Sequence, residues 1–166
     1  MSSSAERDPQ VEDAAPRLER YLHAQIPISK GMGVRVLRAD AAGVLLSAPL
    51  KPNLNHRQTF FGGSAAALAT LAAWGLAHER LLEHAGLDVH LVIQRSSMEY
   101  LEPAAAEVEA ECVAPPDKAW DRLARTIQRW DKGRIELRVE LRAAGSVVGS
   151  FEGSFVAFKE ERGNPV

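Results

Sequence analysis

One short segment carries most of the residues whose types and spacing suit chemistry. Residues 53 to 64 read Asn-Leu-Asn-His-Arg-Gln-Thr-Phe-Phe-Gly-Gly-Ser. The glycine pair, Gly62 and Gly63, opens a run of small apolar residues that predicts a helix over about 62–84, with Gly86 as its stop. Backbone N–H groups at a helix start lack intrahelical partners, and the helix dipole adds positive potential there. Such groups can stabilise an oxygen that gains negative charge when a carbonyl carbon is attacked. The plainer alternative is that the glycines only permit a tight turn into the helix.

The helix that follows must be held by the rest of the fold. No charged residue occurs from Gln58 to Ala77, and residues 65–74 are apolar nearly all the way round. A helix of this kind has to be covered on every side. Its Ala and Gly content and its polar start favour a buried helix over a membrane span. A flat sheet cannot surround one helix, so we predict a sheet that curls around it.

The remaining segments predict strands and two further helices. The predicted strands are 34–38, 44–50, 90–101, 107–114, 134–142 and 147–159, and the helices are 16–27 and 117–129. Alternation is clearest where Ile135, Leu137, Val139 and Leu141 are separated by charged residues, which is typical of an antiparallel sheet with one buried face. The predicted fold class is α+β. We expect a disordered tail over 1–15, one domain over 16–159 and a C-terminal tail over 160–166.

Composition excludes several functions. The chain has 166 residues, a formal net charge of -2 and a single cysteine, Cys112. The near-neutral charge argues against nucleic acid as a partner. One cysteine cannot form an internal disulfide, and the first residues lack the pattern of a signal peptide, so we expect a cytoplasmic protein. The five histidines show no metal-ligand spacing, and no cofactor is expected.

With these elements in place, the chain resembles the hot-dog superfamily of acyl-CoA thioesterases, and more closely the thioesterase-like proteins typified by the YiiD C-terminal domain. The resemblance covers roughly residues 17–159. It is carried by the segments 55–64, 67–71, 74–75, 92–94, 100–103 and 151–158. It implies a hot-dog fold, in which a curved antiparallel sheet wraps one long buried helix. It also implies homodimers with joined sheets, which can pair into tetramers, and an acyl-CoA (or acyl-carrier) thioester bound at the dimer interface.

The resemblance also implies roles for particular residues. In the phenylacetate-pathway type of hot-dog thioesterase, an Asn lies seven residues before the glycine pair, where this chain has Asn55. That Asn orients the thioester or the attacking water, and the backbone of Gly62 and Gly63 would form the oxyanion hole. Thr70 is assigned to the catalytic set as a helper. A second group is assigned to substrate binding: His56, Phe61, Ser64 and Gln94.

Three departures from that type affect catalysis. This chain has Phe61 where a His precedes the glycine pair, Thr70 where an Asp or Glu stands on the helix, and Ile93 near the place of a Ser or Thr. A threonine cannot easily deprotonate water. His56 could supply the missing base, although a solvated loop histidine is the plainer interpretation. Glu99 and Glu102 are interpreted as strand-face or turn charges.

Four functions therefore stay open. The leading one is hydrolysis of an acyl-CoA or related thioester. The first alternative is a non-catalytic acyl-CoA- or lipid-binding dimer that has lost the acid. The others are a hydratase or dehydratase, which would need a His and a carboxylate facing the substrate, and a purely structural dimer.

Overall fold

The computed structural model describes residues 13–83 and 89–159. The helices are α1 (Ala14–Gln25), α2 (Pro27–Gly31), α3 (Gly62–Glu83) and α4 (Asp117–Trp130), and a 3-10 turn spans Lys51–Asn53. The strands are β1 (Arg35–Asp40), β2 (Gly43–Ala48), β3 (Val89–Tyr100), β4 (Val108–Val113), β5 (Lys132–Ala143) and β6 (Ser146–Lys159). Every predicted helix and strand is present.

The ends of the chain differ slightly from the prediction. Helix α1 begins at Ala14, so the predicted tail over 1–15 overlaps the helix at Ala14 and Ala15. The rest of that tail, the predicted stop at Gly86 and the C-terminal tail lie outside the described residues. The short helix α2 was not predicted. Pro27 begins it, because a proline lacks the N–H that the first helical position leaves unpaired anyway.

All six strands form one antiparallel sheet in the order β1-β2-β4-β5-β6-β3. Helix α3 contacts β2, β3, β4, β5 and β6, so the sheet curls around it as predicted. The alternation along β5 is also confirmed, since Leu137 and Leu141 are fully buried while Glu136 and Arg138 are exposed. Burial on one face fixes the register of this strand, because a slip of one residue would move the whole apolar set into water.

The single chain does not cover α3 on every side, contrary to the prediction. Gly63 is exposed, and Ala67, Thr70 and Trp74 are only half-buried. These positions are three or four residues apart, so they form one stripe along the helix. We call this the open stripe of α3. The sequence predicts total burial of residues 65–74 because each of their side chains is small or apolar, but in one chain the sheet reaches only the other faces.

Strand β3 lies beside the open stripe and forms one edge of the sheet. Both of its faces contain exposed residues, including Val92 and Ile93, and its outer edge has no neighbouring strand among the described residues. The indole Nε1 of Trp74 donates to the carbonyl of Leu91 at 3.0 Å, which ties the helix to this edge. Edge strand and open stripe therefore form one continuous surface.

Candidate active site at the start of helix α3

The loop before α3 is organised around Asn55. The side-chain Oδ1 of Asn55 accepts hydrogen bonds from the backbone N–H of Arg57 at 2.8 Å and of Thr59 at 3.1 Å. Its Nδ2 donates to the Thr59 hydroxyl at 2.9 Å. Gln58 takes the left-handed conformation (φ 62°), which lets the chain reverse within the loop. Asn55 thus replaces backbone partners that a short irregular loop cannot supply.

A buried asparagine anchors the loop to the body of the domain. Asn53 is 2% exposed, and its Nδ2 donates to the carbonyls of Met32 and Pro49. Its own carbonyl accepts the N–H of Phe61 at 2.7 Å. The residue directly before α3 is therefore held by the backbone carbonyl of Asn53, whose side chain is itself fixed in the core.

The first turn of α3 presents free N–H groups. The first hydrogen bond of the helix runs from the N–H of Ala65 to the carbonyl of Phe61 at 3.0 Å. Within the part of the chain that the structure describes, the N–H groups of Gly62, Gly63 and Ser64 have no acceptor. Phe61 precedes the helix and has no side-chain oxygen that could cap them. Three donors and the positive end of the helix dipole thus point toward the same place.

Two aromatic rings lie close to the glycine pair at the helix start. A Cβ atom on Gly62 would lie 3.2 Å from the ring of Tyr100, and one on Gly63 would lie 2.3 Å from the ring of Phe61. The Tyr100 hydroxyl also donates to the carbonyl of Gly62 at 2.9 Å. The glycines therefore leave room for two protein side chains. Their N–H groups remain free.

A cavity of about 350 Å³ opens beside this helix start. Asn55, Gly62, Tyr100 and the charged residues Arg57 and Glu102 line it. The apolar remainder of its wall includes Phe60, Ala65, Leu101, Pro103, Ala104, Val108 and Val148. Polar groups at one end and an apolar wall elsewhere are typical of a small-molecule site.

Only part of the predicted site set meets at this cavity. Asn55 and Gly62 line it, whereas Phe61, directly before Gly62, and Gly63 and Ser64, directly after it, are not among its lining residues. His56 is exposed in the loop and does not line the cavity.

Two further members of the predicted set lie away from the cavity. Thr70 lies eight residues along α3, about 12 Å from Gly62, and its hydroxyl donates to the carbonyl of Ala66 at 2.8 Å. Gln94 is exposed at a bulge of β3, six residues and roughly 20 Å before Tyr100.

Three lining residues were missed or discounted by the sequence analysis. Arg57 lies within the segment that drew attention; its guanidinium could meet a nucleotide phosphate, but a plain surface arginine is the favoured interpretation from sequence. Tyr100 and Glu102 belong to a Tyr-Leu-Glu-Pro stretch that looks like a strand end. No sequence signal places this stretch beside Gly62, because 38 residues separate Tyr100 from Gly62.

Two reactive side chains lie outside the cavity. Cys112 is fully buried in β4, and burial raises the pKa of its thiol to about 12, so the thiolate is scarce. His78 stacks on Trp74 with a centroid distance of 4.7 Å and also contacts Tyr21. Burial, with a smaller contribution from Arg17, lowers the pKa of His78. His78 is therefore partly shielded from solvent, because Tyr21 of helix α1 packs against it.

Residues 15–159 match the family described as "Putative thioesterase (yiiD_Cterm)", and the chain belongs to this family. A protein of unknown function from Chlorobaculum tepidum is 26% identical, with a TM-score of 0.84 over 88% of this chain and 94% of that one. A "putative thioesterase" from Shewanella oneidensis is 27% identical, with a TM-score of 0.78 over 88% and 98%. A thioesterase from Haemophilus influenzae shares the fold at 10% identity, with a TM-score of 0.67 over 90% and 94%.

These likenesses confirm the hot-dog fold, with its antiparallel sheet and long central helix. The predicted membership of the thioesterase-like family is also confirmed. Across residues 13–83 and 89–159, no helix has the length and apolar character needed to cross a membrane.

Proposed function

We propose that the protein hydrolyses an acyl-CoA or a related acyl-carrier thioester. One observation carries this proposal: in a chain of the thioesterase-like family, the free N–H groups of the first turn of α3 open beside a cavity that also holds Asn55. Donors placed where negative charge develops are the largest single contribution in many acyl-transfer enzymes.

Each residue at the cavity has a proposed role that follows from its chemical groups. The thioester oxygen would accept hydrogen bonds from the N–H groups of Gly62 and Gly63. Asn55 uses one Nδ2 hydrogen for Thr59, and its second is available to hold the thioester or the attacking water. The apolar wall formed by residues such as Val108 and Val148 would receive the acyl chain. No step of this scheme needs a cofactor.

The proposal includes a homodimer that joins the β3 edges of two copies. Exposed Val92 and Ile93 on β3 and the open stripe of α3 form one surface, which a second copy would cover. A sheet edge of 12 residues offers a row of unpaired backbone groups, and pairing with another edge satisfies them. Gln94 and Thr70 lie on this surface, so a role for either would depend on the partner. A cytoplasmic location is part of the proposal, since it keeps the free thiol of Cys112 reduced.

A second candidate function is non-catalytic binding of an acyl-CoA or lipid. It is favoured by Thr70, which stands where a helix carboxylate is expected and whose hydroxyl already donates to Ala66. The helix thus supplies no group that could take a proton from water in this region. A binding dimer would keep the cavity and the N–H groups without turnover.

Thiol release from a panel of short, long and aromatic acyl-CoAs, with calorimetric binding in parallel, separates the two functions. Turnover above the protein-free rate would support hydrolysis. Saturable binding without turnover would support the binding function. The absence of both signals across CoA and acyl-carrier-protein thioesters would refute both.

A further inference from the structure

We infer that Glu102 is the general base of this site and replaces the carboxylate that α3 lacks at the position of Thr70. The inference rests on the proposed thioester hydrolysis and assigns a missing part of it. Glu102 follows β3 directly and lines the same cavity as Asn55 and Gly62. Among the described residues that line this cavity, it is the one carboxylate.

The backbone around Glu102 is clamped to the start of α3. Two residues before it, the Tyr100 hydroxyl donates to the carbonyl of Gly62 at 2.9 Å. Two residues after it, the carbonyl of Ala104 accepts the N–H of Phe60 at 2.7 Å. Glu102 is thus held opposite the short stretch that joins the loop to the helix. A general base needs such fixed placement near the attacked carbon, because proton transfer requires hydrogen-bond distance.

A third contact fixes the strand end from the other side. The N–H groups of Leu101 and Glu102 both point to the carbonyl of Val148, at 2.9 Å and 3.3 Å. Pro103 follows and disfavours the helical conformation for Glu102. Backbone position is therefore determined, while the side chain keeps the reach of its two methylene groups into the cavity.

The charges around the cavity suit a working carboxylate. The titratable or charged groups that line it are Arg57 from the loop, Tyr100 from β3 and Glu102 itself, and the N-terminus of α3 adds positive potential. Neither Arg57 nor Glu102 has an ion-pair partner within 4 Å among the described residues. The carboxylate oxygens are therefore available to accept a hydrogen bond from a water molecule in the cavity.

The chemical step balances with water as the only co-reactant. Glu102 takes a proton from a water molecule while the water oxygen bonds to the thioester carbon. The carbonyl electron pair moves to oxygen, where the N–H groups of Gly62 and Gly63 hold it. When the carbonyl re-forms, the C–S bond breaks, and the leaving thiolate receives the proton from Glu102. The products are a carboxylic acid and a thiol, and the carboxylate is restored.

The test compares Glu102→Gln and Glu102→Asp with a matched control, Glu99→Gln, three residues earlier on β3 and outside the cavity lining. Thiol release is measured as kcat and KM on an acyl-CoA that the wild type hydrolyses, with acyl-CoA binding by calorimetry and thermal melting as checks on the site and the fold. We expect Glu102→Gln to lower kcat by about 10²–10⁴-fold while KM and affinity change little. Glu102→Asp, which keeps a carboxylate, should retain more activity, and Glu99→Gln should match the wild type.

The possible outcomes test the role of Glu102 separately from the proposed thioester hydrolysis. A wild type that hydrolyses thioesters together with an equally active Glu102→Gln variant would overturn the base assignment alone. An aspartate variant no better than the glutamine variant, or an equal loss in Glu99→Gln, would overturn it as well. A wild type without turnover on any thioester would overturn both the proposed hydrolysis and the inference.

Discussion

Asn55 has two roles that a single alanine substitution would confuse. Its side chain makes three hydrogen bonds within the loop, to the N–H groups of Arg57 and Thr59 and to the Thr59 hydroxyl. The proposed chemistry uses the remaining Nδ2 hydrogen. Asn55→Ala removes both contributions at once. Asn55→Asp keeps two oxygens that accept the backbone N–H groups, and the Thr59 hydroxyl can donate to the carboxylate instead. The aspartate therefore preserves the loop and removes the amide donor.

The two variants should differ in how much unfolding free energy they lose. An intramolecular hydrogen bond contributes about 0.5–1.5 kcal/mol net. Water replaces part of the lost bonds because the loop is partly exposed, so Asn55→Ala should cost about 2 kcal/mol of unfolding free energy. For a domain of this size that lowers the melting temperature by roughly 4–8 °C. Asn55→Asp should stay within about 0.5 kcal/mol of the wild type. Both should lose about 10²–10³ in thioesterase rate, as removal of one positioned donor does.

Thermal melting and thiol release on the same preparations check this reasoning. The expected pattern is one destabilised and one stable variant with a similar loss of kcat. Thr59→Val serves as the matched control, because it removes only the partner of Nδ2 and leaves both backbone contacts. If Asn55→Ala has the same melting temperature as the wild type, the loop does not depend on these hydrogen bonds. If Asn55→Asp keeps full activity, the amide has no part in the chemistry.

Three further predictions concern the core, the cysteine and the sheet edge. Leu137→Glu places a charge at a position that is 2% exposed and should lower the free energy of unfolding by at least about 4 kcal/mol. Circular dichroism should then show no cooperative melt, and a normal melt would contradict the strand assignment. The control Glu136→Gln, on the solvent-exposed face of the same strand, should melt like the wild type. The thiol pKa of Cys112 is raised to about 12, so the thiolate fraction at pH 8 should be only about 10⁻⁴. Cys112 should therefore react with an aromatic disulfide reagent only after denaturation. Rapid labelling of the native protein would refute its burial. Val92→Glu puts a charge on the proposed β3 interface and should convert the proposed dimer to a monomer in light scattering. The control Leu37→Glu, at a similarly exposed position on the opposite edge strand, should leave the mass unchanged. If Val92→Glu is still a dimer, the interface does not lie at β3.

Local patterns were sufficient to predict the helices and strands. Alternation with a period of two predicts β4 and β5, and the long apolar run predicts α3, because the burial of one face leaves a direct trace in the sequence. The resemblance identified the family on the same residues. Short elements leave weaker traces, and the single turn of α2 (Pro27–Gly31) was missed because five residues are too few to show a period.

Only the tertiary structure decided what surrounds the start of α3. Glu102 and Tyr100 meet Gly62 because β3 lies at the edge of the sheet next to β6, and strand order depends on long-range pairing that no local period records. The sequence by itself determined that the glycine pair begins an apolar helix and that no carboxylate occurs between Gln58 and His78. It could not show that a carboxylate 40 positions after Gly62 lines the cavity beside the helix start, because a side chain's neighbours in space are determined by the path of the whole chain.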